Sequence, residues 1–407
     1  MTGKFNLQEL ATASPYPVLA KLREEDPVHW SSELKGWVLT RYADVKIALE
    51  DGATYSASRM QPFFDSLSEE RAEKVAMLRR YIPLWLVFRA PPDHTRLRQA
   101  LRSPLSPKAM LTLRDKVVDQ VDKLIDGFIA KGSVNLIDDF ALQLPGLVIL
   151  DMLGAPRGDL QALTHDTNEL QLFLGQAQGS RDRYARADAG ARHMRDYFVN
   201  LVASKRITPG EDLTTMLIES SRNGAMSEDE LIAYCILLFF GGQETTANLI
   251  GNGLISLIRH PAELKKLRDH PELARSATAE CLRYNGPIGA VVRVASRDHE
   301  LGDKTILAGE RVFAMVSAAN RDPAQFVDPD KFDIERANNR YLTYGQGIHF
   351  CLGAPLANLE AEIALSRLVT RLDDLALATE ELDWRDGLNM RGVTALPLLF
   401  TPKRLAA

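Results

Sequence analysis

The chain has 407 residues, 45% hydrophobic and 25% charged, a composition that excludes collagen-like, low-complexity and wholly disordered chains. Lysine and arginine number 49 against 54 aspartates and glutamates, a net charge of −5 that leaves no basic footprint for nucleic acid or an anionic membrane. Cys235, Cys281 and Cys351 are too few and too scattered for a disulfide framework and form no CxxC spacing, so a reducing compartment is expected. At roughly 150 residues per domain the length alone would suggest two or three units. No repeat, block of like charge or Gly/Ser/Pro-rich linker divides the chain, and one continuous domain over residues 1–407 is expected. The first ten residues hold no apolar h-region, and the longest apolar stretch, Leu231 to Phe240, is far short of the ~20 residues of a membrane span. A cytoplasmic protein without a membrane anchor is the expectation.

In chain order, His29-Trp30 with Gly36 to Thr40 reads as a hairpin. Three- and four-residue apolar spacing then predicts helices over Tyr42 to Asp51, Asp93 to Leu101, Lys108 to Ala130, Leu142 to Leu153, Leu160 to Leu174 and Arg183 to Ser204. Ser227 at an N-cap with Glu230 three residues on is a capping box, and it opens a pattern that runs without proline to about His260. Beyond it lie helices over Ala262 to Asp269, Glu272 to Tyr284 and Ala354 to Leu372. Strand-like runs are short: Val291 to Ala295, Thr305 to Leu307, Arg311 to Val316 and Leu396 to Thr401. The sum is a mainly α protein with small β-sheets.

The long helix carries Gly241-Gly242-Gln243-Glu244-Thr245-Thr246 in its middle. Each glycine there costs about 1 kcal/mol against alanine, which calls for a compensating reason: close approach of something bulky, or a local opening of the helix. A second glycine-punctuated segment, Tyr344-Gly-Gln-Gly-Ile-His-Phe-Cys-Leu-Gly-Ala354, sets Cys351 just before a helix whose N–H groups and dipole favour a thiolate. A thiolate so placed is a soft ligand for iron. Taken alone, a single cysteine reads equally as an inert buried residue, and the glycine loop as a plain turn or an anion site.

The combination resembles the cytochrome P450 family. The loop matches aromatic-Gly-x-Gly-x-His-x-Cys-x-Gly, Glu280-Cys-Leu-Arg283 matches Glu-x-x-Arg, Phe332-Asp-Ile-Glu-Arg336 matches the segment that follows it, and Gly241 to Thr246 matches the oxygen-activation segment of the central helix. The likeness runs over nearly the whole chain, with Tyr344 where phenylalanine is usual and Glu244 in place of the more frequent aspartate. It implies a single-domain fold with a long central helix over haem b (iron protoporphyrin IX), whose iron takes Cys351 as axial ligand. His94, Arg98, Arg293 and His349 would then hold the haem propionates, Tyr344 and Gly345 would join Cys351 among the haem-binding residues of the loop, and Glu280, Arg283 and Arg336 would form a buried structural cluster. Read without the resemblance, both Glu280/Arg283 and His94/Arg98 are equally pairs on an exposed helix face.

The implied reaction is monooxygenation with O2 and two electrons from separate proteins, a ferredoxin-type donor and its NAD(P)H-dependent reductase. Thr245 and Glu244 would be the catalytic pair that governs proton delivery. Trp85, Phe88, Leu237, Phe240, Gly241, Ile288, Val291 and Val393 would line an apolar pocket suited to a terpenoid, fatty acyl, steroid or alkyl-aromatic substrate. Each of these is also consistent with plain core. A peroxide-driven peroxygenase and a non-catalytic haem-based sensor or binding protein remain as alternative readings.

Overall fold

The computed structural model describes residues 14–174, 182–385 and 387–402. By Cα proximity the chain divides into two compact units, one of residues 1–55, 110–144 and 245–407, the other of residues 56–109 and 145–244.

In the first unit the expected hairpin forms from β1 (Val28–Ser31) and β2 (Gly36–Leu39), paired antiparallel with Trp30 opposite Trp37. Short strands follow: β3 (Tyr55–Ser56), β4 (Ser133–Asn135), β5 (Val291–Ala295), β6 (His299–Leu301), β7 (Lys304–Ile306), β8 (Arg311–Ala314), β9 (Asp373–Leu377) and β10 (Pro397–Thr401). They make a five-stranded sheet in the order β1-β2-β8-β5-β3, a three-stranded sheet β4-β10-β9 and the ribbon β6-β7. β2 and β8 run parallel, which sequence-local reasoning does not foresee because more than 270 residues separate them. Two clusters of buried side chains flank the large sheet, one around Val45, Tyr55, Val312 and Ala314, the other around Leu19, Val38, Phe313 and Met315. The outer faces of these short strands thus bury branched and aromatic residues that stabilise the sheet at about 25 cal/mol per Å² removed from water.

Helices dominate both units. Those expected over 42–51, 93–101, 142–153, 160–174 and 183–204 are found at Tyr42–Glu50, Asp93–Arg102, Gln143–Leu153, Leu160–Leu174 and Arg183–Ile207. The single helix expected over Lys108 to Ala130 is instead two, Pro107–Leu111 and Arg114–Asp126. The break falls where the Leu113 N–H donates to the Met110 carbonyl in a tight turn, and Leu111 on the short helix is 63% exposed, so the apolar period slips there. Val316, expected as strand, starts the one-turn helix Val316–Ala319.

The longest helix is Glu228–Arg259, 32 residues. Its start has both halves of the capping box: the Ser227 N–H donates to Glu230 Oε2 at 2.8 Å, and the Glu230 N–H donates to Ser227 Oγ at 3.2 Å. Arg96 donates to the same carboxylate at 2.7 Å and to the Ala225 carbonyl, so the cap also ties the helix Asp93–Arg102 to this end within the second unit. Among the described residues no helix is long and apolar enough to cross a membrane. Ser227→Ala should cost about 1 kcal/mol of unfolding free energy in a urea titration, with the denaturant slope unchanged.

Candidate functional site

The Cys351 segment begins with backbone geometry that its glycines make possible. Gly345 and Gly347 take φ of 72° and 65°, in the left-handed region where a side chain is strained. A Cβ on Gly347 would stand 3.2 Å from the Glu50 backbone, so this glycine also lets the loop lie against the helix Tyr42–Glu50. Gly353, by contrast, has an ordinary helical φ of −82° and serves as the N-terminal residue of the helix Ala354–Arg371. The loop closes where the Cys351 N–H donates to the Tyr344 carbonyl at 2.8 Å. Tyr344 supplies a second tie, its phenol donating to Asn358 Oδ1 at 2.8 Å, which answers the need for a partner that tyrosine brings in place of phenylalanine. Burial holds that phenol well above its usual pKa, so it stays a donor.

Of the three thiols only Cys351 is exposed. Cys235 and Cys281 are sealed, and burial raises both, Cys235 to about 12. The one sulfur presented to the outside is therefore the one placed before a helix N-terminus.

Behind this loop lies the Glu280 cluster. Glu280 and Arg283 are both 0% exposed at their side chains, joined by two hydrogen bonds of 2.7 and 2.8 Å. Arg336 donates to Glu280 Oε1 at 3.2 Å, and the Asp333 N–H and Asn339 amide complete the carboxylate's partners. Arg283 spends its remaining donors on the carbonyls of Asn320, Pro329 and Lys331. From Asn320 the network continues: its side chain accepts from the Leu342 N–H and donates to Thr343 Oγ1, which in turn donates to the Leu282 carbonyl. Asn320 thus links the cluster to the residues just before Tyr344. Sequence reasoning missed it, since a lone asparagine just past a one-turn helix carries no pattern.

Arg293 stands on β5, 7% exposed, and burial pushes its guanidinium down to about 10. Its side chain donates to the Val292 carbonyl, and among the described residues no carboxylate lies within 4.0 Å of it. A buried cation without an anion is costly unless something else supplies the charge, and a haem carboxylate is such a group. His94 and Arg98 lie on the helix Asp93–Arg102 in the second unit; His94 is 2% exposed, and burial, with the charge of Arg98, lowers its pKa. His349 is half-buried in the turn Gly347–His349. Within the first unit the Cys351 thiol, the Arg293 guanidinium and the His349 imidazole are donors of the kind that the iron and carboxylates of haem take, and in the second unit His94 and Arg98 offer the same carboxylate-binding chemistry.

The central segment of the long helix departs from one expectation. The helix is unbroken through Gly241 to Thr246, so no turn is opened. The compensation for glycine is close approach: a Cβ on Gly242 would fall 2.0 Å from Ile149 Cδ1. At Gly241 a Cβ would meet only Leu237 of the same helix, at 3.9 Å. Leu237, Gly241 and Thr245, at four-residue spacing, are partly exposed, as are Leu238 and Gly242 next to them, on a helix otherwise largely buried, while Glu244 beside them is 2% exposed. Gln243 turns elsewhere and donates to Thr164 Oγ1 at 2.7 Å, a contact the sequence did not announce. Of the other residues expected to line a pocket, Phe88, Ile288 and Val291 are half-buried, whereas Trp85, Phe240 and Val393 are 1%, 9% and 1% exposed.

With the geometry set out, comparison with known proteins is direct. A family model described as Cytochrome P450 matches residues 183–272 and 266–378. The polyketide biosynthesis cytochrome P450 PksS of Bacillus subtilis is 32% identical over 95% of this chain and 95% of its own. The vitamin D(3) 25-hydroxylase of Pseudonocardia autotrophica is 34% identical over 96% and 94% respectively. Among solved structures, P450BioI in complex with an acyl carrier protein ligated to hexadec-9-enoic acid superposes with a TM-score of 0.90 at 33% identity, covering 97% of this chain and all of that one. The chain belongs to the cytochrome P450 family, haem-binding monooxygenases.

Arg283→Leu leaves Glu280 buried and short of its main partner, and should destabilise the protein by about 3–5 kcal/mol in chemical denaturation.

Proposed function

We propose that this chain hydroxylates a hydrophobic small molecule, taking two electrons from a ferredoxin-type donor served by an NAD(P)H-dependent reductase. One atom of O2 enters the substrate C–H bond, and the other leaves as water with two protons. Haem b, when bound, supplies the iron at which dioxygen is reduced. Cys351 would hold the haem iron through its sulfur, as a thiolate favoured by exposure and by the helix dipole. His94, Arg98, Arg293 and His349 would grip the propionates through charge-assisted hydrogen bonds.

The observation that carries this reading is the accessible stripe of Leu237, Gly241 and Thr245 on the long helix, with the buried acid Glu244 next to the threonine. The Thr245 hydroxyl is the polar group of that stripe and can hold a hydrogen bond there. Glu244 brings a proton-exchanging carboxyl to the same turn, the pair a general acid relay needs. Retention of both is what favours an O2-dependent monooxygenase over a peroxygenase. Apolar residues at the other positions of the stripe support an apolar substrate, as do the fatty acyl ligand of P450BioI and the vitamin D3 named for the Pseudonocardia relative. A fatty acyl or steroid-like body is the class these relatives favour.

In a system reconstituted with a surrogate ferredoxin and reductase, Glu244→Gln should lower turnover about 10²-fold. Thr245→Ala should keep reductant consumption while hydrogen peroxide replaces product; unchanged product per NAD(P)H in that variant refutes its role. Arg293→Met should speed haem transfer to apomyoglobin by about tenfold or more, as expected for the loss of a charge-assisted bond.

A further inference from the structure

Trp85 holds a polar group that the machinery above does not use. The residue joins two short turns, Ile82–Leu84 and Leu86–Phe88, and its own backbone is satisfied: its N–H donates to the Ile82 carbonyl and its carbonyl accepts from the Phe88 N–H. Its indole lies nearly parallel to Phe88, centroids 6.3 Å apart, and against Phe240 at 5.1 Å. The residue is 1% exposed, yet among the described residues Nε1 has no hydrogen-bond partner. An indole N–H can only donate, and burying it unpaired is unfavourable, so buried tryptophans ordinarily find an acceptor. Trp37 in this chain does, donating to Glu310 Oε2 at 2.7 Å.

The place of this donor gives it meaning. Phe240, against which the indole packs, is the residue before Gly241 and one turn beyond Leu237, the two apolar members of the accessible stripe. Around Nε1 the named ring neighbours are apolar, so the site offers one donor in an aromatic setting.

We propose that the Trp85 indole N–H is the substrate-orienting donor, and that the preferred substrates are apolar molecules bearing a single acceptor oxygen, such as a ketone, ester or hydroxyl, set away from the carbon to be oxidised. This rests on the monooxygenase reading and deepens it. Because the nitrogen is sealed in the ligand-free chain, an acceptor reaches it only with a shift of a flanking ring, of which Phe88 is the half-buried one. A substrate oxygen would then satisfy a donor that nothing else satisfies, whereas a pure hydrocarbon of the same shape would leave it unpaired. The discrimination follows the rule that sites with buried polar groups reject analogues lacking the matching group.

The test is a Soret titration of the ferric holoprotein with matched pairs, cyclododecanone against cyclododecane and dodecan-2-one against dodecane. The ketone should bind about tenfold or more tightly than its alkane. Trp85→Phe, which keeps the ring and removes the N–H, should collapse that ratio to within about threefold, and Trp85→His, which returns a ring N–H, should restore part of it. A ratio unchanged in Trp85→Phe overturns the proposal, as does a wild-type protein that shows no ketone preference in any pair or no Soret response to any compound. The carbon monoxide difference spectrum of the reduced protein is recorded alongside: a thiolate-type band with those negative results confines the failure to Trp85, and its absence removes the haem-thiolate reading as well.

Discussion

A carboxylate with no solvent contact must have its charge met by the protein, and Glu280 meets that demand with Arg283, Arg336, Asn339 and a backbone N–H. The consequence reaches past the pair itself. Arg283 can hold Glu280 only by also satisfying three carbonyls, and those carbonyls belong to an irregular stretch, residues 320–331, that has little regular structure of its own. Order in that stretch positions Asn320, and Asn320 holds Leu342 and Thr343, the residues from which the Cys351 loop departs. The loop is then tied at its far end by the Cys351 N–H to Tyr344 and by the Tyr344 phenol to Asn358. A presented thiol in a glycine-rich loop is thus held by a buried ion cluster through hydrogen bonds alone.

The long helix solves a different problem. Helices of this length are stabilised mainly by tertiary packing, and most of its residues are buried. A continuous buried helix would leave no face for chemistry, and the glycine at 241 supplies one by omission of a side chain. The adjacent Thr245 and Glu244 differ in exposure, the threonine partly exposed and the acid buried, and in the function we propose they would divide the tasks of proton delivery on that basis. Arg293 stands in a similar relation to its strand, its charge kept inside with a backbone carbonyl and, among the described residues, no carboxylate within 4.0 Å.

Much of this was legible in the residues. Ser227 and Glu230 cap each other because the capping box is a local device, closed within four residues, and the hairpin at Trp30 is equally local. The Glu280/Arg283 spacing is written in the chain, although whether such a pair is solvated or buried depends on residues 320–339, which periodicity does not connect to it. The parallel pairing of β2 with β8 and the strand β4, three residues long, were beyond reach for the same reason: their partners are distant, and a run of three has no period. The division of the helix expected at Lys108 to Ala130 escaped because apolar spacing continues on both sides of the turn. The glycines at 241 and 242 were seen to need a cause, but the choice between an opened turn and a close neighbour required Ile149, nearly a hundred residues away.

That neighbour couples two positions in a way that bears on how such a chain can change over generations. Gly242 leaves room for the tip of Ile149 where its own Cβ would stand, so the two sites share that volume. Alanine at 242 with isoleucine kept at 149 forces the Ile149 terminus to move, at about 1–3 kcal/mol, whereas shortening 149 first leaves a small void at modest cost. The path from glycine to alanine therefore has a preferred order, and lineages descended from such a chain should more often show the smaller residue at 149 before the larger one at 242.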